Sequence, residues 1–544
     1  MIVGTNSIIN DISGVLSKFS ITEEIKLNYS QIKNVDIQCN NLVKLSSDNR
    51  IEEIKINIKN KLQKNNLIKN ISFAENNFIN LTLSKEYLIN NMSVDLSELN
   101  NEKNSILIDY GGPNIGKSLH VGHLRTLNIG RSIYRINKIA GNNIISDIHL
   151  GDWGMPIALI LAYIKKTKMN ISTLKHTDLE TIYPAATELA ENDDNFYEEA
   201  KQISKKLNEE NAELLKEWKI IYEVSVKNIK KLLEKLGHRF DWFYGESDVV
   251  KETETVINNA KSKNKIYDDS GALLSKEVSD PPILLTKSDG SYLYLTTDLG
   301  TVYFREQNGD FNKYLYVVDQ RQSNHFIQLF KTVKYFELSD CDFIHISYGT
   351  VNGKDNKPLK TRDGGVYKLE ELLEDVKEEL LKKSKNQLLV EQLANSILTY
   401  SDLLPSRNQN YKFDIEKFVD INGKTGIYLQ YAQVRAKKIL DQSSGSSKNI
   451  LYENLNKDER NLMFEISKLP YYFFNSLDRS EPHHLAEYGY SLSQMFNSFY
   501  TNNKILSESI SEHDKNKRLS LVGEFYKTIH IVFDSLGIKP VDEM

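Results

Sequence analysis

The sequence predicts a multidomain chain: a small α+β domain over residues 1–100, a Rossmann-like α/β domain with a helical insertion over 101–385, and an all-α domain over 386–544. Three observations predict it. The chain has 544 residues, and at roughly 100–200 residues per domain three or four domains are expected. An apolar run "ILIDY" (Ile106–Tyr110), a helical pattern "VGHLRTLNIGRSIYRINKIAG" (Val121–Gly141) and a second apolar run "NIISDIHL" (Asn143–Leu150) follow one another. Strands joined through a helix lie side by side and parallel, the unit of doubly wound nucleotide-binding sheets. Beyond about Leu369 strand patterns vanish and helical periodicity takes over, as in "EQLANSILTYSDLL" and "TGIYLQYAQVRAKKIL".

The remaining elements follow in order. "ITEEIKLNYSQIKNVDIQCNNLVKLS" mixes short apolar stretches, "RIEEIKINIKNKLQKNN" is an amphipathic helix, and "FINLTLS" (Phe78–Ser84) alternates as a strand does. Polar "SELNNEKNS" (Ser97–Ser105) reads as a linker. The helix from Val121 carries apolar Leu124, Leu127, Ile133 and Ile136, and Gly141 stands where a helix is closed by glycine. Residues 195 to 237 form long charged helices, an insertion. Further strands are expected in "YLYLTTD" (Tyr292–Asp298), "KYLYVVDQ" (Lys313–Gln320) and "DFIHISYG" (Asp342–Gly349), and a loop in "SSGSSKN" (Ser443–Asn449).

Hydrophobic residues make up 40% and charged residues 26%, the balance of a soluble globular protein. No apolar run reaches the roughly 18 residues of a membrane span. The N-terminus lacks the basic start and apolar core of a secretory signal. The two cysteines, Cys39 and Cys341, are far apart, which excludes a disulfide framework and a cysteine-rich zinc site. No protein-held metal is expected, and a cytoplasmic protein is the simplest reading. A net charge of -5 disfavours binding to bulk nucleic acid but leaves room for a local basic surface.

One stretch carries two rival chemistries. "GGPNIGKSLHVGHLRT" (Gly111–Thr126) fits the phosphate-loop pattern G-x-x-x-x-G-K-[ST] through Gly111, Gly116, Lys117 and Ser118. That loop needs amides around a phosphate, a lysine on its oxygens and a hydroxyl on magnesium. It also wants the helix to open at Gly-Lys-Ser, whereas helical periodicity here begins near His120. His120 and His123 share one face of the helix start, where free N–H groups and the helix dipole favour anions. Gly122 between them leaves the backbone open to a flat purine. Taken alone, such a pair also fits plain surface or capping histidines, and zinc would lack a third ligand nearby.

The strand–loop–H-V-G-H–helix unit resembles the HIGH signature of class I aminoacyl-tRNA synthetases. "IDYGGPNIGKSLHVGHLRT" is similar to its form in arginyl-tRNA synthetases. "HLGDWG", "LGHRFDWFYGES", "YLYLTTDLGTVYFR", "LKTRDGG", "GKTGIYLQYAQVR" and the terminal "LGIKPVDEM" follow in the family's order, from about Phe78 to the last residue. On this resemblance the phosphate-loop match is incidental.

The resemblance implies a class I catalytic domain, a C-terminal anticodon-binding domain of the DALR type, and an N-terminal module contacting the tRNA D-loop. It implies activation of L-arginine by ATP with Mg2+, transfer to the 2′-hydroxyl of the terminal adenosine of tRNA-Arg, activation that needs bound tRNA, and a monomer. His120, Gly122 and His123 would meet ATP. The loop "KPLKTRDGG" matches the second class I signature through Lys360, Thr361 and Arg362, but lacks its second lysine, for which Lys117 would compensate. His120, His123, Lys117 and Lys360 would be catalytic. Asp109, Asn114, Tyr294, Asp298 and Gln322 would hold arginine, with Tyr294 and Asp298 on one helical face. Phe78, Asn80, Tyr428, Tyr431, Arg435 and Met544 would meet tRNA, with Phe496 and Tyr500 as weaker candidates.

This sequence departs from the family pattern at Asn77, where glycine is expected, at Met155-Pro156, at Leu359, and at Gly111-Gly112, a pair expected to loosen the substrate loop. The rivals are another class I synthetase, such as one for cysteine, a phosphate-loop NTPase with an RNA-binding helical domain, and an inactive paralogue serving as a binding module.

Overall fold

The computed structural model describes residues 2–276, 278, 279, 281–353, 357, 359, 367–443 and 452–544. The chain divides into two compact units. One comprises Met1–Leu99, Ile421–Ser535 and Lys539–Met544; the other comprises Asn100–Asp420 and Leu536–Ile538.

The first unit joins both chain ends. Strands β1 (Leu27–Tyr29), β2 (Ile37–Cys39), β3 (Ile68–Phe73) and β4 (Ile79–Leu83) form an antiparallel sheet in the order β1-β2-β4-β3. Along β4 the buried residues alternate, Ile79, Leu81 and Leu83, the period of a strand with one covered face. Helix Ile51–Leu62 buries Ile54, Ile58 and Leu62, one per turn. Arg460, on helix Lys457–Ser467, ties the ends together: its guanidinium donates to the buried Asp36 carboxylate, which also accepts the main-chain N–H of Leu83 at 2.7 Å. The helical part packs around Phe473, Phe496, Phe499 and Phe525.

The second unit holds β5 (Ser105–Tyr110), β6 (Asn143–Leu150) and β7 (Trp242–Gly245), a small antiparallel sheet of β8 (Ile266–Asp269), β9 (Ala272–Ser275) and β10 (Leu284–Thr286), then β11 (Lys313–Asp319) and β12 (Asp342–Tyr348). The main sheet is parallel in the order β12-β11-β5-β6-β7. The chain winds outward from β5 through β6 to β7, then returns to the other side of β5. Such a reversal opens a crevice at the carboxyl ends of the strands, where doubly wound folds bind ligands. Helices Met155–Thr167, His176–Asn192, Asp194–Asn208 and Ala212–Lys235 fill the β6–β7 crossover, so the expected insertion begins well before residue 195.

The strand expected in "YLYLTTD" is a helix, Tyr294–Asn308. Its buried residues Leu295, Leu299 and Val302 are spaced four and three apart, a helical period that the local Tyr-Leu alternation masks. The two-residue strands β13 (Val351–Asn352) and β14 (Tyr411–Lys412) pair in parallel; β14 lies where the sequence pattern predicts no strand. Helices Leu369–Leu381 and Gln387–Leu403 belong to this unit and pack on helix Val121–Ile139. Of the loop expected over 443–449, all but Ser443 lies outside the described residues.

Candidate active site

The site begins where β5 ends. Gly111 (φ +100°), Gly112 (φ +44°) and Gly116 (φ +77°) take backbone angles that side chains disfavour, which accounts for the glycine pair. The loop is tied down rather than loosened. The Gly111 N–H donates to Thr126 Oγ1 at 2.9 Å, that of Ile115 to the Gly151 carbonyl at 3.1 Å, and that of Gly116 to Ser225 Oγ at 3.0 Å. The Ser118 hydroxyl donates to Glu180. These loop amides and this hydroxyl are used internally, and the helix opens at Val121 rather than at Gly-Lys-Ser. The phosphate-loop match is incidental.

His120 and His123 cap the helix start. The His120 N–H donates to His123 Nδ1 at 3.1 Å, and the Gly122 N–H donates to His120 Nδ1 at 3.0 Å. The ring centroids are 4.1 Å apart. Burial, aided by the neighbouring His120, lowers the pKa of His123 to about 3. Burial, then Lys117 and Arg321, lowers that of His120. Both rings are therefore neutral near pH 7; His120 Nδ1 accepts from Gly122 and leaves its proton on Nε2, while His123 Nδ1 stands between the His120 N–H at 3.1 Å and the His120 carbonyl at 3.3 Å. A Cβ on Gly122 would sit 2.8 Å from His120 Cε1, so the ring folds over the helix end only because residue 122 is glycine.

Lys117 places its ammonium 4.1 Å from the centre of the Tyr183 ring. Lys360, Thr361 and Arg362 lie outside the described residues. Asn114 is exposed and pairs with Gly151 by backbone; a Cβ on Gly151 would meet Asn114 Oδ1 at 1.9 Å, so Asn114 requires a glycine opposite it. Gly154 (φ +78°) precedes helix Met155–Thr167, and Pro156 stands in its first turn, where no N–H is missed.

Deeper in the crevice, Asp109 is engaged with Arg305, whose side chain is 1% exposed. Arg305 also donates to Asp147 from Nε at 3.1 Å and from Nη2 at 2.7 Å, and to the Tyr316 hydroxyl at 3.2 Å. Burial works against the charge of Arg305, but Asp109 and Asp147 outweigh it and raise its pKa.

A cavity of about 650 Å³ is lined by Glu246, Tyr294, Thr297 and His325, with Trp153, Met155 and Pro156 among its apolar walls. Tyr294 starts its helix and is 70% exposed. One turn on, Asp298 accepts a hydrogen bond from His325 Nε2 at 2.6 Å, which raises the imidazole pKa. Gln322 is exposed just before helix Ser323–Phe336. Sequence reasoning misses Glu246 and His325, although Glu246 stands inside the string Leu236–Ser247 and His325 three residues beyond Gln322. Burial, then the charges of Asp298 and Asp152, pushes the Glu246 carboxyl up to about 8. An acid held neutral beside other acids marks a place for a cation.

The pattern described as the catalytic domain of class I tRNA synthetases, type R, matches residues 85–415. The chain belongs to the arginyl-tRNA synthetases. The family's N-terminal domain matches residues 6–83 and its DALR anticodon-binding domain residues 429–544. The chain is 33% identical over 514 residues to the arginine–tRNA ligase of Francisella tularensis subsp. holarctica, covering 87% of each chain. It is 33% identical over 533 residues to that of Agathobacter rectalis, covering 89% of each. Among solved structures, Plasmodium falciparum arginyl-tRNA synthetase aligns over 99% of both chains with a TM-score of 0.79 and 26% identity. The Thermus thermophilus enzyme shares the fold at a TM-score of 0.81 and 19% identity. As a member of the arginyl-tRNA synthetases the chain is an aminoacyl-tRNA ligase that uses ATP.

The residues expected to meet tRNA in this synthetase fall as follows. In the helical segment, the Arg435 guanidinium lies 4.5 Å from the ring centres of both Tyr431 and Tyr500 and donates to the Tyr431 hydroxyl at 2.8 Å. Tyr431 and Tyr500 are each 40% exposed, so the cluster forms an aromatic and cationic platform. Tyr428 packs on Tyr490 with centroids 5.2 Å apart. The Met544 carbonyl accepts from Lys438 at 3.5 Å, one turn beyond Arg435. Phe496 is core, stacked on Phe525 at 3.9 Å, and presents no face to an RNA. Phe78 is half-buried, and Asn80 accepts from Gln38 at 2.8 Å. Asn77 takes φ +64°, the conformation for which glycine is expected and which asparagine tolerates. Among the described residues no helix is long and apolar enough to cross a membrane.

Proposed function

We propose that this synthetase charges tRNA-Arg with L-arginine through an arginyl-adenylate. The reading rests on one observation above others: Glu246 held near pKa 8 beside Asp298, in a cavity that Tyr294 lines. A guanidinium supplies the charge that those acids lack, and its fork suits two carboxylates. Tyr294, Gln322 and Asn114 complete the arginine site, Asn114 toward the amino-acid backbone. Asp109 acts through Arg305, whose position it fixes.

ATP lies against Gly122, with the Nε2–H groups of His120 and His123 and the cations Lys117, Lys360 and Arg362 on its phosphates, and Thr361 alongside. An arginine carboxylate oxygen attacks the α-phosphorus, and the bond to pyrophosphate breaks. Neutral donors and fixed cations stabilise the charge that gathers there. The 2′-hydroxyl of the terminal adenosine then attacks the arginyl carbonyl, and AMP leaves. Among the described residues three carboxylate or imidazole donors converge only at Glu481, His483 and His484, in the helical segment. Mg2+ would come with the nucleotide's phosphates and supply charge neutralisation there.

Phe78, Asn80, Tyr428, Tyr431, Arg435 and the chain end at Met544 contact tRNA, and activation needs it bound. Three functional segments, 1–100, 101–385 and 386–544, a monomeric state and a cytoplasmic location complete the proposal on the resemblance. The test is charging of tRNA-Arg with arginine, lysine and citrulline in parallel. Charging with arginine alone is expected; equal charging with neutral citrulline would refute the carboxylate pocket.

A further inference from the structure

Helix His176–Asn192 touches two chain segments at once. From it, Glu180 Oε1 accepts the Ser118 hydroxyl, and Oε2 accepts the Lys368 ammonium at 2.9 Å. His176 Nε2 stands 3.3 Å from the same hydroxyl. One turn beyond Glu180, Tyr183 lies under the Lys117 ammonium. The two segments are also stitched by backbone: the Val121 N–H donates to the Tyr367 carbonyl and the Leu369 N–H to the Leu119 carbonyl, both at 2.9 Å. So one carboxylate spends one oxygen on the loop that precedes the paired histidines and the other on the chain that enters helix Leu369–Leu381.

A lysine ammonium is a point charge on a flexible stem with much rotamer freedom to lose. An electrostatic site works best when such charges are held before the reaction starts. We infer that Glu180, seconded by Tyr183, is a positioning residue for the nucleotide site: it locks the Lys117–Ser118 loop against the Lys368 segment, so that Lys117 and the histidine helix keep one register. Glu180 touches no reacting atom and acts through Ser118, Lys117 and Lys368. The inference rests on the ATP site proposed above.

The test is arginine-dependent ATP–pyrophosphate exchange, with tRNA present, by the wild type and by Glu180→Gln, Glu180→Ala, Lys368→Ala and the Glu180→Ala/Lys368→Ala double variant. A displacement of about 1 Å near the chemistry costs on the order of 100-fold. Glu180→Ala should lower kcat about 10- to 100-fold. KM for ATP and for arginine should stay close to wild type, and so should the unfolding midpoint. Glu180→Gln, which keeps a partner for Ser118 and loses the charge facing Lys368, should fall between. The double variant should be no worse than Glu180→Ala alone, since residues acting through one contact are not additive.

Wild-type kcat in Glu180→Ala, additive losses in the double variant, or a loss confined to KM would each overturn the inference. If Glu180→Ala does not fold, Glu180→Gln decides: a partial fall in kcat supports the inference, and wild-type kcat overturns it. A wild type that exchanges nothing with arginine defeats the functional reading and the inference with it; an active wild type with an unaffected Glu180→Ala defeats the inference alone.

Discussion

The main-chain N–H of His120 donates to Nδ1 of His123 at 3.1 Å, and this bond decides what the second ring can do. With Nδ1 accepting that N–H and the ring half-buried, His123 carries no net charge, and this hydrogen bond assigns its proton to Nε2. In the proposed ATP site it would be a neutral donor to a phosphate oxygen rather than a cation or a base.

His123→Asn is accordingly expected to lower kcat of activation about 100-fold with little change in KM, the pattern of a donor that matters most in the transition state. Imidazole nitrogen spectra should show His123 neutral, with hydrogen on Nε2, from pH 8 down to about 4. The sign for stability follows. Unfolded histidine titrates near 6.5 and the folded ring at about 3, so its share of stability is full above pH 6.5 and fades as the pH falls toward 3. A charged His123 at pH 6 would contradict the assignment.

Gly122→Ala tests the same geometry sterically. The added methyl would meet His120 Cε1 at 2.8 Å and Nδ1 at 2.9 Å. The ring must swing away, so kcat should fall about 10- to 100-fold. The helix itself should tolerate alanine, which is favoured over glycine in helices. Full activity in this variant would show that the folded-over ring is dispensable.

In the proposed pocket Glu246 should make arginine binding pH-dependent. In the free enzyme its carboxyl titrates at about 8. A bound guanidinium favours the carboxylate, so below pH 8 binding should expel a proton, and affinity should rise with pH and level off above about 8. Calorimetry in buffers of different ionisation enthalpy measures the proton directly. Glu246→Gln should abolish the release and weaken binding; this variant also separates Glu246 from His325, which titrates beside it. Affinity flat from pH 6 to 9 would contradict the prediction.

Arg305 carries a stability risk in the crevice. Replacing it with leucine leaves Asp109 and Asp147 without their cation, and Asp147 is buried. Breaking a buried ion pair from one side costs about 3–5 kcal/mol. Urea unfolding of Arg305→Leu should show a loss of that size; a change below about 0.5 kcal/mol, as at surface positions, would deny the pair its structural role.

The chain's legibility tracks how local each signal is. β5, the histidine helix and β6 follow from apolar runs and a closing glycine within fifty residues, and they bring the paired imidazoles to the carboxyl end of the central strand unaided. Asn77 reads only as a departure from an expected glycine; that both residues serve a left-handed turn is visible only in its φ of +64°. The helix at Tyr294 is hidden because four residues of Tyr-Leu alternation mimic a strand, and only Leu299 and Val302, beyond that run, reveal the helical period that starts at Leu295. Glu246 is one of 74 acidic residues. Its importance lies in its burial and then in the charges of Asp298 and Asp152, an environment set by tertiary folding that no periodicity carries. Asp109 reads as an open acceptor because its partner Arg305 is almost two hundred residues away and buried.

The most direct test of the central claim is ATP–pyrophosphate exchange by the purified chain with each amino acid, with and without tRNA-Arg. Exchange with arginine only, and only when that tRNA is present, is the predicted result. Exchange driven by another amino acid, or ATP hydrolysis with no amino acid dependence, would contradict it.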